Sequence, residues 1–200
     1  MPKFALIVLT ACLAAVPATV AQTPTPKPGQ TPPPRQTPTP TATPKTGSQG
    51  MGEPAAPSTA FLKSAAQGGM AEVELAKLAT SKASRDDVKA LAQTIQQDHE
   101  KANAELKDLA SSKKLTLPDS VSAQQKATVD RLGKLTGVAF DKAYVDDMVK
   151  DHQKDIAEFK KHEKDSDPDV SAFVTKTLPT LQDHLAKAEA VQKAIRSTGR

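Results

Sequence analysis

Residues 140–159 read FDKAYVDDMVKDHQKDIAEF. Tyr144, Val145, Met148, His152, Ile156 and Phe159 recur at three- and four-residue steps, which places them on one face of an α-helix. Asp, Lys, Gln and Glu side chains fill the opposite face. A helix of this kind gains its stability by burying the apolar stripe against other helices. The rest of the fold follows from finding those partners.

Downstream, Asp167-Pro168 marks a helix start, with Asp as N-cap and Pro in the first turn. The helix that follows carries Val170, Phe173, Val174, Leu181, His184, Leu185, Ala188, Val191 and Ile195, and Pro179 inside it predicts a kink. Upstream, Phe61, Leu62, Ala65, Gly69, Glu72, Val73, Ala76 and Ala79 define a first helix over about 59–81. Ser84 and Asp87 have the spacing of a capping box that opens a second helix. That helix carries Val88, Leu91, Ala92, Ile95, His99, Ala102, Leu106 and Leu109 and ends near Lys113. Between the second helix and the stretch first quoted, Leu117-Pro118-Asp119 and Gly137 bracket a shorter helix over about 120–135. No alternating strand pattern occurs, so the fold class is all-α: a four-helix bundle over residues 58–197 with one additional short helix.

The first 57 residues belong to other classes of sequence. Residues 1–21 have the form of an export signal, with Lys3 near the start, an apolar run from Phe4 to Val16, and Thr19-Val20-Ala21 before a cleavage point. The run is too short to span a bilayer comfortably. The favoured reading is cleavage after Ala21 and a periplasmic or outer-envelope protein; the alternative is a lipoprotein anchored at Cys12 within Leu9-Thr10-Ala11-Cys12. Eleven of the sixteen prolines fall between Pro24 and Pro57, so residues 22–57 read as a Pro/Thr-rich disordered tether of polyproline-II character. At about 3.1 Å per residue it reaches on the order of 100 Å, which suits a spacer toward an envelope component or a protein partner; a tolerated low-complexity tail is the equal alternative, and a glycosylated Thr-rich segment a lesser one. The net charge of +4 and the pI near 9.1 do not make a nucleic-acid surface. Lys3, Lys27, Arg35 and Lys45 lie outside the bundle, and there is no basic block and no Trp.

Asp-His occurs three times, as Asp98-His99, Asp151-His152 and Asp183-His184, and only His162 lies outside the set. His99 follows Ile95 by four, His152 follows Met148 by four and His184 follows Leu181 by three, so each imidazole belongs to a core stripe. Glu72 occupies the equivalent place on the first helix. Three imidazoles and a carboxylate are a ligand set that Zn, Fe, Mn or Cu accepts. A buried polar cluster satisfied by its own neighbours is the competing reading. The Asp of each pair lies about 100° around the helix, which fits an outer hydrogen-bond partner and not a co-ligand. If the short helix is a crossover, Glu72 is level with His152 and His184 and His99 is offset by roughly 9 Å. In a plain up-down bundle the three histidines are level and Glu72 is the outlier.

FLKSAAQGGMAEVELAKLA (61–79), QQDHEKANAELKDLA (96–110), the stretch quoted at 140–159 and LPTLQDHLAKAEAV (178–191) together resemble a bacterial family of exported, ferritin-like four-helix bundles of unknown function. Members are often labelled outer-membrane proteins. The resemblance implies a ferritin-like bundle with a crossover and draws attention to Glu72, Asp98, His99, His152 and His184. It implies no activity. Ferritin di-iron sites place a Glu three residues before a His, whereas Gln96, Val149 and Leu181 stand there in this chain, which argues against a ferroxidase. The expectation is a non-enzymatic, exported bundle of envelope- or stress-associated role that binds a metal ion in its core. The alternatives are a metal-dependent oxidoreductase or hydrolase on the same residues, and a structural bundle that binds a partner through an exposed apolar patch.

Overall fold

The computed structural model describes residues 54–198, so the stretch read as an export signal, Cys12 and most of the stretch read as a Pro/Thr tether lie outside the described residues. Five helices follow in order: α1 (Ala56–Lys82), α2 (Asp86–Ser112), α3 (Ala123–Gly133), α4 (Gly137–Lys161) and α5 (Pro168–Thr198). There is no strand among the described residues. None of these helices is long and apolar enough to cross a membrane. The protein is an all-α four-helix bundle with a short crossover helix.

Helix ends show which local signals decided the boundaries. α1 opens at Ala56, three residues before the expected start near residue 59, because Pro57 sits in its first turn, where a missing N–H is no loss. α3 is capped by Ser122: Gln125 N–H donates to Ser122 Oγ at 3.3 Å, while Ser122 N–H donates to Gln125 Oε1 at 2.8 Å. Asp167 caps α5 as its sequence predicts, accepting the Asp169 N–H at 3.0 Å. α5 is one helix through Pro179.

The start of α2 departs from expectation. Ser84 and Asp87 form no capping box: the N-cap is Arg85 without a side-chain cap, and Asp87 instead pairs with Arg85 at 2.7 and 2.9 Å. The free amides are taken by a carboxylate from another helix. Asp141 of α4 is fully buried and accepts from the backbone N–H groups of Ser84 at 3.0 Å and Arg85 at 3.1 Å. The Ser84 hydroxyl donates to the same carboxylate. A tertiary contact to a charged acceptor outcompetes the local box.

That contact fixes the topology, since it puts the start of α4 at the turn between α1 and α2. At the opposite end, Ser58 donates to Asp165 in the α4–α5 turn at 2.9 Å. There too, buried Lys113 at the end of α2 pairs with Asp167 and Asp169 at 2.7 and 2.6 Å. His162, which stacks on Phe61 at 4.1 Å and meets Asp165 at 2.7 Å, belongs to this structural end. α2 and α4 therefore run in the same direction, and α3 lies in the crossover between them. α1 packs on α2 and α4, and α5 packs on the same two, leaving α2 diagonal to α4.

The core is divided along the bundle axis. One apolar cluster includes Leu75, Ile95, Phe140, Tyr144 and Met148; the other includes Leu62, Leu106, Phe159, Phe173 and Leu181. On each long helix one polar residue falls between the two clusters: Glu72, His99, His152 and His184.

Candidate metal centre

These four side chains form a closed polar layer, with exposures of 1% for Glu72, 6% for His99 and 0% for His152 and His184. The rings are mutually packed, their centroids 5.3 to 5.7 Å apart. One nitrogen of each histidine lies within 4.8 Å of one nitrogen of each of the others. Glu72 Oε2 approaches His99 Nδ1 at 3.0 Å and Oε1 approaches His152 Nδ1 at 3.4 Å. Neither approach has hydrogen-bond alignment, so both Glu72 oxygens and His99 Nε2 are buried without a hydrogen-bond partner.

His99 is not offset from the other three residues, as counting along a crossover bundle predicts. The three residues of the α1–α2 turn add no helical rise, so Glu72 lies ten residues from its helix end and His99 thirteen from its own. That leaves about 4.5 Å at 1.5 Å per residue. Side chains lean toward the N-terminus of their helix; in this antiparallel pair, Glu72 leans away from the turn and His99 toward it. The two leans close the remaining gap.

The hydrogen-bond partners set the tautomers of two rings. His152 Nδ1 lies 3.0 Å from the Met148 carbonyl, which can only accept, so Nδ1 carries the proton. His184 Nε2 lies 3.0 Å from Asp98 Oδ2 and carries its proton for the same reason. The remaining nitrogens, His152 Nε2 and His184 Nδ1, face each other at 3.2 Å. In neutral rings, both present lone pairs.

The electrostatics keep the rings neutral. Burial pulls His99 down to about 3, with the His152 and His184 imidazoles acting in the same direction. Burial and His184 bring His152 down to about 4, against a smaller opposing effect of the Met148 carbonyl. His184 is also lowered by burial, although Asp98 favours its charged form. Glu72 is raised well above the usual carboxylate range by burial and by Asp155, Asp151 and Asp147.

The aspartates of the three pairs have different fates. Asp98 is an outer partner, but of His184 on α5 and not of its own neighbour His99. Asp183 is exposed and pairs with Lys187 at 2.6 Å. Asp151 joins a second group that sequence reasoning did not assemble: oxygens of Glu72, Asp151 and Asp155 lie within 4.8 Å of one another. Burial and the Asp151 charge raise Asp155 to about 7. Its trace in the sequence is the spacing of Asp147, Asp151 and Asp155 at steps of four beside the His152 stripe.

Close packing of α1 makes room for this layer. A Cβ on Gly69 would stand 2.1 Å from Asn103 Oδ1, and one on Gly68 would stand 3.7 Å from Asp155 Oδ2. Glu72, His99, Asn103 and Asp155 line a cavity of about 20 Å³, large enough for one water-sized occupant.

No curated protein matches the chain. Among solved structures, a fragment of a DUF305 protein from Deinococcus radiodurans superposes with a TM-score of 0.64. It has 15% sequence identity and covers 71% of this chain and 99% of that one, a likeness of fold alone. A family model described as "Domain of unknown function (DUF4142)" matches residues 42–191. That span takes in the whole bundle apart from the last residues of α5, and the chain belongs to the DUF4142 family.

Proposed function

We propose that this protein is an exported, non-enzymatic bundle of ferritin-like type that holds a divalent transition metal ion in its core, in an envelope- or stress-associated role. The metal is of the Zn, Fe, Mn or Cu class and is held by His99, His152 and His184, with Glu72 against two of the rings. The observation that carries this reading is the pair of nitrogens, His152 Nε2 and His184 Nδ1, at 3.2 Å. Two neutral imidazole lone pairs repel at that distance, and a cation between them turns the repulsion into two bonds. An ion about 2.0–2.1 Å from both nitrogens would see them at about 100°, within the tetrahedral range. His99 Nε2, buried and without a partner, is the natural third donor, and Asp98 orients His184 from outside, as carboxylates commonly do for metal-bound imidazoles.

Closure of the site favours binding over catalysis. The ligands are almost fully buried, and the adjoining cavity of about 20 Å³ holds a water and not an organic substrate. The same cavity supports the second reading, a metal-dependent oxidoreductase or hydrolase whose open coordination position takes a water-sized ligand. A partner-binding bundle finds less support, since Val138 is the one large hydrophobic side chain exposed among the described residues.

The test is elemental analysis of full-length protein purified without a His tag, then thermal unfolding of the chelated protein with Zn2+, Mn2+, Fe2+ or Cu2+. One ion per chain is expected, with stabilisation of about 2.7 kcal/mol at a free concentration of 100 Kd. His184→Gln should lose the Zn2+ ion and the stabilisation it brings. Absence of bound metal together with absence of any thermal shift sinks the reading.

A further inference from the structure

Besides the two imidazoles that its oxygens approach, Glu72 has two aspartates within reach. Asp151 and Asp155, one turn apart on α4, each place an oxygen within 4.8 Å of Glu72 and of each other. Among the described residues, no Lys or Arg nitrogen forms an ion pair with any of the three. Neither oxygen of the buried Glu72 has a hydrogen-bond partner. Three crowded carboxylates without a direct ion pair, opposed only by the charge of Lys154 near the two aspartates, one of them buried and unpartnered, are the composition of a cation site for a hard ion.

The same cluster is the link between outside and inside. Asp151 lines a groove of about 390 Å³ between α1, α3 and α4, whose walls also carry Asp147, Gln67, Gln125, Lys150 and Lys154. Asp155 lines the small inner cavity beside Glu72 and His99. The carboxylates thus run from an open groove, overhung by the crossover helix, to the edge of the histidine layer.

We propose that Glu72, Asp151 and Asp155 form a second cation site, oxygen-lined and reached from the groove beside α3, that takes a hard divalent ion such as Mn2+, Mg2+ or Ca2+ and shares the Glu72 carboxylate with the histidine site. The shared Glu72 is the one point at which it rests on the histidine reading. A transition metal that prefers nitrogen goes to the inner layer, and a hard ion stops at the carboxylates. The Lys150 and Lys154 ammonium groups on the groove wall keep the approach from being uniformly negative, so selectivity belongs to the three-oxygen cluster and not to a general acidic surface.

The experiment is titration of chelated, full-length protein with Mn2+, read by electron paramagnetic resonance, and with Zn2+, read by calorimetry. Wild type should take up both ions. Asp155→Asn and Asp151→Asn, isosteric changes whose folding is checked by circular dichroism, should each weaken Mn2+ binding at least tenfold and leave one Zn2+ per chain. His184→Gln should do the reverse. Mn2+ affinities within threefold of wild type in both Asp variants, or no Mn2+ uptake by wild type at millimolar concentration, overturn the proposal. Loss of Zn2+ binding by wild type, with Mn2+ still bound and still lost in Asp155→Asn, would sink the histidine site and leave this one standing.

Discussion

Acidification of the metal-free protein should expose the cost of charging His99. In the unfolded chain this imidazole titrates near 6.5, and in the fold burial and the other two rings hold it down to about 3. A depressed folded value means that the contribution is fully present above pH 6.5 and is lost as pH falls from there toward 3. Between pH 7.5 and pH 5 the unfolded state takes up nearly one proton at this site and the folded state almost none. At 1.36 kcal/mol per pH unit over about 1.5 units, the loss is about 2 kcal/mol. His152 and His184 are shifted down and Glu72 and Asp155 up by the same burial, with opposing effects on stability, so the total slope of the wild type does not isolate His99. A comparison does. Urea unfolding of wild type and of His99→Gln, both with chelator, at pH 7.5 and pH 5 gives four stabilities. The variant is expected to be the weaker at pH 7.5, and the gap should narrow by about 2 kcal/mol at pH 5. An identical gap at both values refutes the burial of a neutral His99.

Other perturbations test the same layer and its supports. Asp155→Asn in chelator should raise the urea midpoint: its folded value is raised to about 7, so the stability tied to it is full below about 3.8 and is lost as pH rises through 7, making the gain larger at pH 8 than at pH 5. Gly69→Ala should turn the Asn103 side chain away in wild type, because its Cβ would lie 2.1 Å from Asn103 Oδ1, and that displacement should take back part of the helix-propensity gain in the thermal midpoint. In an Asn103→Ala background the same substitution should be more stabilising, as Ala exceeds Gly in helix propensity by about 1 kcal/mol; an unchanged effect there would place the clash elsewhere. Asp141→Ala should cost about 3 kcal/mol in urea unfolding, since it leaves the Ser84 and Arg85 amides without their charged acceptor. Ser84→Ala should cost about 1 kcal/mol, and equal losses in the two variants would contradict the capping role of Asp141.

What the sequence could show and what it could not divides along physical lines. The apolar stripes were legible because periodicity is a local property, and all six stripe residues from Tyr144 to Phe159 are buried. The caps of α3 and α5 are local too, and Asp167-Pro168 carries the plainer signal of the two, an N-cap residue followed by Pro in the first turn. The cap of α2 was not legible: Ser84 and Asp87 have plausible spacing, but a buried carboxylate 57 residues from Ser84 competes for the same amides, and no window of sequence contains that competitor. The four polar core positions were legible as faces. Their common depth was not, because it depends on turn residues that add no rise and on opposite side-chain leans in antiparallel helices.

The three Asp-His pairs carry this distinction furthest. Each Asp precedes its His, and a right-handed helix sets it about 100° around in a fixed sense, so local geometry places all three at a helix edge. What the edge meets is decided by the crossover. On α2 the edge meets α5, and Asp98 reaches the ring of His184. On α4 the edge meets α1 and the groove beside α3, and Asp151 reaches Glu72. On α5 the edge meets solvent, and Asp183 pairs with Lys187 in its own helix. Had the bundle been plain up-and-down, α2 would neighbour α4 instead of lying diagonal to it, and the same three dipeptides would meet different partners. The crossover therefore contributes directly to the chemistry of the layer. By running α2 and α4 in the same direction on opposite corners, it gives His184 an outer carboxylate from one side and sets Glu72 beside a second carboxylate cluster on the other.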